Sequence, residues 1–289
     1  MLRVHCTVLP LVIALTSVGR MTTTRLGDVS IAYDTFGSPN ADTAVLLVHG
    51  HPFDRTMWRP QAEYLASRGH RVITPDLRGY GESDVIPGKT GFDVFALDLI
   101  RLADHLELST FVLGGLSMGG QIAMQTIRDH PHRIRALLLA DTFPGLDTPE
   151  AKQARLDTAD RITKSGMNAY ADELLPKMIS PKSSPDVAEH VHRMMRNAPA
   201  EGAAAALRGR AERPDYTDSL TRITVPTLIA VGSEDEFTPV ADAQLMHRLI
   251  PDSRPVVIDG AGHLPNLERE AEFDEAFGTF LKAIDGEER

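Results

Sequence analysis

The chain has 289 residues, 42% hydrophobic and 24% charged, with 30 Lys and Arg against 40 Asp and Glu for a net charge of −10. These proportions exclude a disordered, fibrous or nucleic-acid-wrapping chain. The acidic excess repels phosphate backbones and anionic membranes, so neither is an expected partner. The single cysteine, Cys6, leaves the rest of the chain without an internal disulfide, a thiol nucleophile or a cysteine zinc site.

In chain order, residues 1–21 form a leader. A lone arginine precedes the apolar run at 8–15, which is shorter than the ~18 residues a membrane helix needs. Two readings stay open: a weak signal peptide, which implies secretion, or a natural start at Met21, which implies a cytoplasmic protein. An antiparallel strand is predicted over 28–36. Short unbroken apolar runs follow at 44–48, 71–74, 111–113, 136–140, 228–231 and 256–258. Runs without alternation suit strands buried on both faces of a parallel sheet. Phe92, Phe95, Ala96, Leu99, Ile100, Ala103 and Leu106 recur at helical spacing between two of them, and 121–130 continues as a helix until Pro131. The strand–helix alternation predicts an α/β fold with a mostly parallel sheet.

The alternation fails over 142–222. Thr148-Pro149-Glu150 opens a helix there that Ser165-Gly166 ends, Ser184-Pro185-Asp186 opens a second, and 201–213 is a third. The reading is a core of 22–141 and 223–289 with an inserted helical cap.

Gly115-Leu116-Ser117-Met118-Gly119 follows a buried strand and opens a helix. A serine on so sharp a turn needs small neighbours two residues to either side. Its hydroxyl also needs a base. Gly260-Ala261-Gly262-His263 follows the last apolar run, and Asp235 follows the run before it. The order Ser117, Asp235, His263 and their place at strand carboxyl ends suit nucleophilic acyl transfer. Asp141, ending the run at 136–140, is an alternative acid. Glu234 and Glu236 read as solvated, and Asp76 and Arg78 as pinning their own loop. The histidine pairs lack a metal-ligand pattern, and there is no phosphate or dinucleotide loop, so no metal or cofactor is expected.

These pieces, with Val48-His49-Gly50-His51-Pro52 and Asp76-Leu77-Arg78-Gly79-Tyr80-Gly81-Glu82-Ser83, resemble the α/β-hydrolase family from about Thr22 to Ala283. Within it the chain is similar to esterases and lactonases of the enol-lactonase type. The resemblance implies an oxyanion hole from the backbone N–H groups of His51 and Met118, with the His51 side chain as a weaker catalytic candidate. Dehalogenase and epoxide-hydrolase relatives use an aspartate nucleophile where this chain has Ser117. The expected substrate is a small ester or lactone, bound under the cap by residues such as Trp58, Phe143 and Met178, in a monomer or homodimer. A C–C bond hydrolase, a cofactor-free perhydrolase or haloperoxidase, and a small-molecule receptor of the same fold are the alternatives. No arginine is placed by motif to hold a substrate carboxylate.

Overall fold

The computed structural model describes residues 19–287. Cys6 and residues 1–18 of the leader lie outside them. Eight strands form one sheet: β1 (Arg20–Leu26), β2 (Val29–Phe36), β3 (Ala44–Val48), β4 (Arg71–Pro75), β5 (Phe111–Leu116), β6 (Ile134–Ala140), β7 (Thr227–Gly232) and β8 (Ser253–Ile258). Their order is β1-β2-β4-β3-β5-β6-β7-β8. β2 runs antiparallel to both β1 and β4, and the pairs from β4 through β8 are parallel.

The start of the sheet differs from the sequence reading, which expects a single leading strand. β1 and β2 make a hairpin that turns at Gly27, whose positive φ of 68° closes a two-residue loop. The polar, threonine-rich β1 is an edge strand with most of its side chains outward.

The helices are α1 (Arg59–Ser67), α2 (Phe92–His105), α3 (Met118–Asp129), α4 (Pro149–Ser165), α5 (Asn168–Met178), α6 (Pro185–Asn197), α7 (Ala200–Ala211), α8 (Thr217–Leu220), α9 (Val240–Leu249), α10 (Pro265–Glu268) and α11 (Glu270–Glu287). A helical layer covers each face of the sheet. Leu46 and Val48 join Phe95, Leu99 and Ile122 of α2 and α3 on one face. Val45 and Leu47 join Ala62, Leu65, Phe273 and Phe277 of α1 and α11 on the other. Adjacent residues of β3 thus enter different cores, which is why its apolar run shows no alternation.

Between β6 and β7 the described residues form helices and no strand. The punctuation read from the sequence is visible in the caps. Thr148 accepts from the Ala151 N–H at 3.2 Å and Ser184 from the Val187 N–H at 3.3 Å, while Gly166 ends α4 at φ 75°. The sequence reading has no counterpart to α5, which carries Pro176 inside its last turn. α7 docks on the core through glycines. A Cβ on Gly202 would overlap the Gly79 carbonyl, and one on Gly209 would overlap the carbonyl of Thr90. Ala203, Ala204, Ala205 and Ala206 beside them are buried, so small residues let the α7 backbone lie directly on the core loops.

Candidate active site

Ser117 stands at the junction of β5 and α3 with φ 56° and ψ −116°, a backbone that L-residues rarely adopt. The turn closes because Gly115 and Gly119 lack side chains: a Cβ on either would run into backbone, of Gly119 in the first case and of Val48 and His49 in the second. The Ser117 N–H donates to Ala140 O at 2.9 Å, and Thr142 Oγ donates to Ser117 O at 2.8 Å, so neighbouring chain holds the strained residue. Ser117 is buried at the start of α3, where free N–H groups and the helix dipole favour negative charge.

Asp235 follows β7 and His263 follows β8, both buried. His263 Nδ1 lies 2.8 Å from Asp235 Oδ2. The Asp235 carboxylate also accepts from the N–H groups of Phe237 (2.8 Å) and Thr238 (3.2 Å) and from the Thr238 hydroxyl. Burial alone raises its pKa, but His263, Thr238 and the Phe237 N–H outweigh that and hold it below the usual carboxylate range. The His263 N–H donates to Met178 O at 3.1 Å, tying the histidine loop to the end of α5.

Asp141 follows β6, the strand between β5 and β7, with φ 43°. Its Oδ1 accepts from the Gly232 N–H at 2.9 Å, and its Oδ2 has no hydrogen-bond partner. Burial, and next the charge of Asp235, push its pKa well above the usual value. One ligand atom each from Asp141, Asp235 and His263 lie within 4.8 Å of one another. Such a donor set could hold a small cation, but Nδ1 of His263 and Oδ2 of Asp235 are already engaged with each other.

The segment after β3 lies against Ser117, since a Cβ on Gly50 would stand 3.3 Å from Ser117 Cβ. The N–H of His51 donates to no partner among the described residues, and that of Met118 is the first of α3. The His51 ring is bonded at both nitrogens, Nδ1 to Tyr80 OH at 2.7 Å and Nε2 to Tyr170 OH at 3.2 Å. Tyr170 belongs to α5, so this imidazole links core to cap. Burial, then the charges of Arg210 and Arg155, push its pKa well down, and it stays neutral. His49 is structural: its Nε2 accepts from the Leu77 N–H at 3.0 Å, which leaves Nδ1–H to donate to Gly50 O at 2.8 Å.

The other sequence candidates are scattered. Met178 is buried beside the His263 loop. Phe143 is half-buried, with its carbonyl 3.3 Å from Gln121 Nε2 and its ring under the Arg213 guanidinium. Trp58 departs from the expectation: it is fully buried in the core against Phe273, because the short helix carrying it packs on the α1 and α11 side. Asp76 does pin its loop, accepting from the N–H groups of Arg55 and Glu82, and Arg78 forks onto Asp98. Glu234 is exposed, as expected, and also accepts from the Ser180 hydroxyl and pairs with Lys182. Sequence reasoning missed Tyr80, Tyr170 and Gln121. Tyr80 sits in a quoted motif, but its partner His51 is 29 residues away.

The sheet order, the strained serine elbow and the buried aspartate–histidine pair at the strand ends together define a class. Residues 43–270 match the α/β-hydrolase fold, and the chain belongs to that family. The 3-oxoadipate enol-lactonase 2 of Acinetobacter baylyi is 29% identical over 258 residues, 88% of this chain and 94% of its own. A malate-bound thermophilic esterase from Thermogutta terrifontis superposes with a TM-score of 0.86 at 42% identity, covering 93% of this chain and 98% of that one. The enol-lactonase of Burkholderia xenovorans LB400 gives 0.84 at 25% identity, covering 90% and 100%. These relatives are ester- and lactone-acting hydrolases, and this chain is an enzyme of the same class. No helix among the described residues is long and apolar enough to cross a membrane.

Proposed function

We propose that this chain is a serine hydrolase that cleaves a small carboxylic ester or lactone through an acyl-enzyme. Ser117 attacks the carbonyl and His263 takes its proton through Nε2. Asp235 fixes the ring by accepting from Nδ1–H and stabilises the imidazolium that forms. The N–H groups of His51 and Met118 receive the developing alkoxide, each contributing about 3 kcal/mol to the transition state. His263 then returns the proton to the leaving alcohol. In the second half it draws a proton from water, which attacks the acyl carbonyl and frees Ser117.

One observation carries the reading: the buried 2.8 Å bond from His263 Nδ1 to Asp235, a carboxylate held ionised by four donors, at the strand ends that also present Ser117. The enol-lactonase and esterase relatives support an ester or lactone as substrate. A panel of esters, lactones, amides and vinylogous diketones assayed on one preparation tests it. Turnover of esters or lactones is the expected result. Cleavage of the diketones alone would replace the reading with C–C bond hydrolysis.

A further inference from the structure

The geometry points to a carboxylate-binding subsite at Arg210, where the cap meets the nucleophile helix, and so to a substrate whose acyl chain carries a second, ionised carboxylate. The inference deepens the ester-hydrolase reading and rests on it. Arg210 lies on α7 and is 8% exposed. Its Nε donates to Gln121 Oε1 at 2.9 Å. Its other guanidinium donors have no hydrogen-bond partner, and it forms no ion pair among the described residues.

The other two arginines of this corner are engaged, although Arg213 Nε has no hydrogen-bond partner among the described residues. Arg155 forks onto Asp147 at 2.8 and 2.9 Å, and Arg213 donates to the carbonyls of Pro144, Gly145 and Pro214. Three guanidinium groups therefore share one buried carboxylate, Asp147, which Arg155 already holds at both oxygens. A guanidinium does not shed its proton to escape burial, and an unpaired buried charge is costly to keep. Its planar fork matches the two oxygens of a carboxylate.

The position suits a substrate. The Gln121 N–H donates to Ser117 O at 3.1 Å, so the residue that holds Arg210 is one turn, about 6 Å along the axis, beyond the nucleophile. His51, Tyr80 and Tyr170 lie close enough to feel the charge of Arg210. An ester carbonyl at Ser117 with its far carboxylate on Arg210 describes the monoester of a dicarboxylic acid. The sequence hides the arginine because Ala203, Ala204, Ala205 and Ala206 before it read as a plain buried stripe.

Monomethyl glutarate and methyl pentanoate, nearly equal in length but differing in the terminal carboxylate, give the test. In the wild type, kcat/KM is expected to favour the glutarate ester by about tenfold or more, since a bidentate charged bond forms. Arg210→Gln is expected to lower that ratio at least about tenfold, and Arg210→Lys, which keeps the charge, less. A wild-type preference for the neutral ester, or an unchanged ratio in Arg210→Gln, would overturn the subsite and leave the hydrolase reading standing. Should Arg210→Gln not fold, inhibition of the wild type decides: glutarate stronger than pentanoate supports the subsite, and equal inhibition overturns it. If neither ester is hydrolysed and the wider panel of esters and lactones is also left untouched, the hydrolase reading falls. Calorimetry then still decides the subsite: glutarate binding that Arg210→Gln abolishes supports it, and no glutarate binding by the wild type overturns it.

Discussion

Asp141 and Asp235 end adjacent strands in one buried corner in opposite electrostatic states. The first has no donor on its Oδ2 and a pKa pushed well up by burial and by its neighbour; the second collects four donors and is held low. Two carboxylates so close do not both ionise at low cost. Asp235 therefore carries the charge beside His263, and Asp141 stays protonated. Asp235→Asn is expected to lower kcat by about 10³ to 10⁴, because the amide no longer holds the imidazole in the productive tautomer. Asp141→Asn, isosteric with the neutral acid, is expected to stay within about tenfold of wild type. Steady-state kinetics on one ester compares them, and the reverse ranking would make Asp141 the acid.

The same proton has a stability consequence. The native state keeps it on Asp141 at pH values where the unfolded chain, titrating near ~3.9, has released it. The native state then binds more protons, so stability falls as pH rises above that value. Asp141→Asn removes this loss, so its stability relative to wild type is expected to grow as pH rises above ~3.9. Urea melts at three pH values measure the difference, and parallel curves would mean that Asp141 is ionised in the folded protein.

Asp274, on α11, provides an independent case. Burial pushes its carboxyl up to about 6, although Gln61 Nε2 donates to it at 2.9 Å. Its penalty is absent below ~3.9 and complete above about 6. Asp274→Asn is expected to rise in stability against wild type across that interval and stay level above it. Thermal melts at pH 4, 5, 6 and 7 test this, and a difference that keeps growing past pH 7 would contradict the assignment.

The docking of α7 depends on two backbone approaches that admit no side chain. Gly202→Ala and Gly209→Ala force the helix away from Gly79 and Thr90, an overpacking that costs ~1–3 kcal/mol. Chemical denaturation is expected to show that loss for each. Unchanged stability would mean that the helix sits farther from the core than described.

Tyr170→Phe removes the hydroxyl that the cap offers to His51 Nε2. A buried ring nitrogen left without a partner costs about 1–3 kcal/mol. The melt is expected to drop by several degrees, and if the cap is held over the site through this bond, kcat/KM falls as well, by roughly 3- to 10-fold. A loss of stability without loss of kcat/KM would make the bond purely structural.

What the sequence revealed follows from where physical constraints are local. The runs at 44–48 and 136–140 declared themselves because both faces of a central parallel strand are buried. The elbow was legible because Gly115 and Gly119 answer to backbone only a few residues away or in the neighbouring β3. Edge strand β1 was not, since threonines facing solvent carry no burial signal. Pro176 hid α5, because a proline within a helical pattern reads as a break. The partners that shape the site, His51 with Tyr170 and Arg210 with Gln121, lie 119 and 89 residues apart. Only the folded chain brings them together.

The account rests most on Ser117 as the nucleophile. Reaction with a fluorophosphonate, followed by mass spectrometry of the labelled peptide and ester turnover by wild type and Ser117→Ala, tests it most directly. The account predicts one label per chain on Ser117, multiple turnovers of an ester by the wild type, and a loss of at least about 10⁴ in kcat for a Ser117→Ala variant that still folds. Near-normal ester hydrolysis by Ser117→Ala would contradict it, and so would labelling of Ser117 without repeated turnover, which fits a receptor.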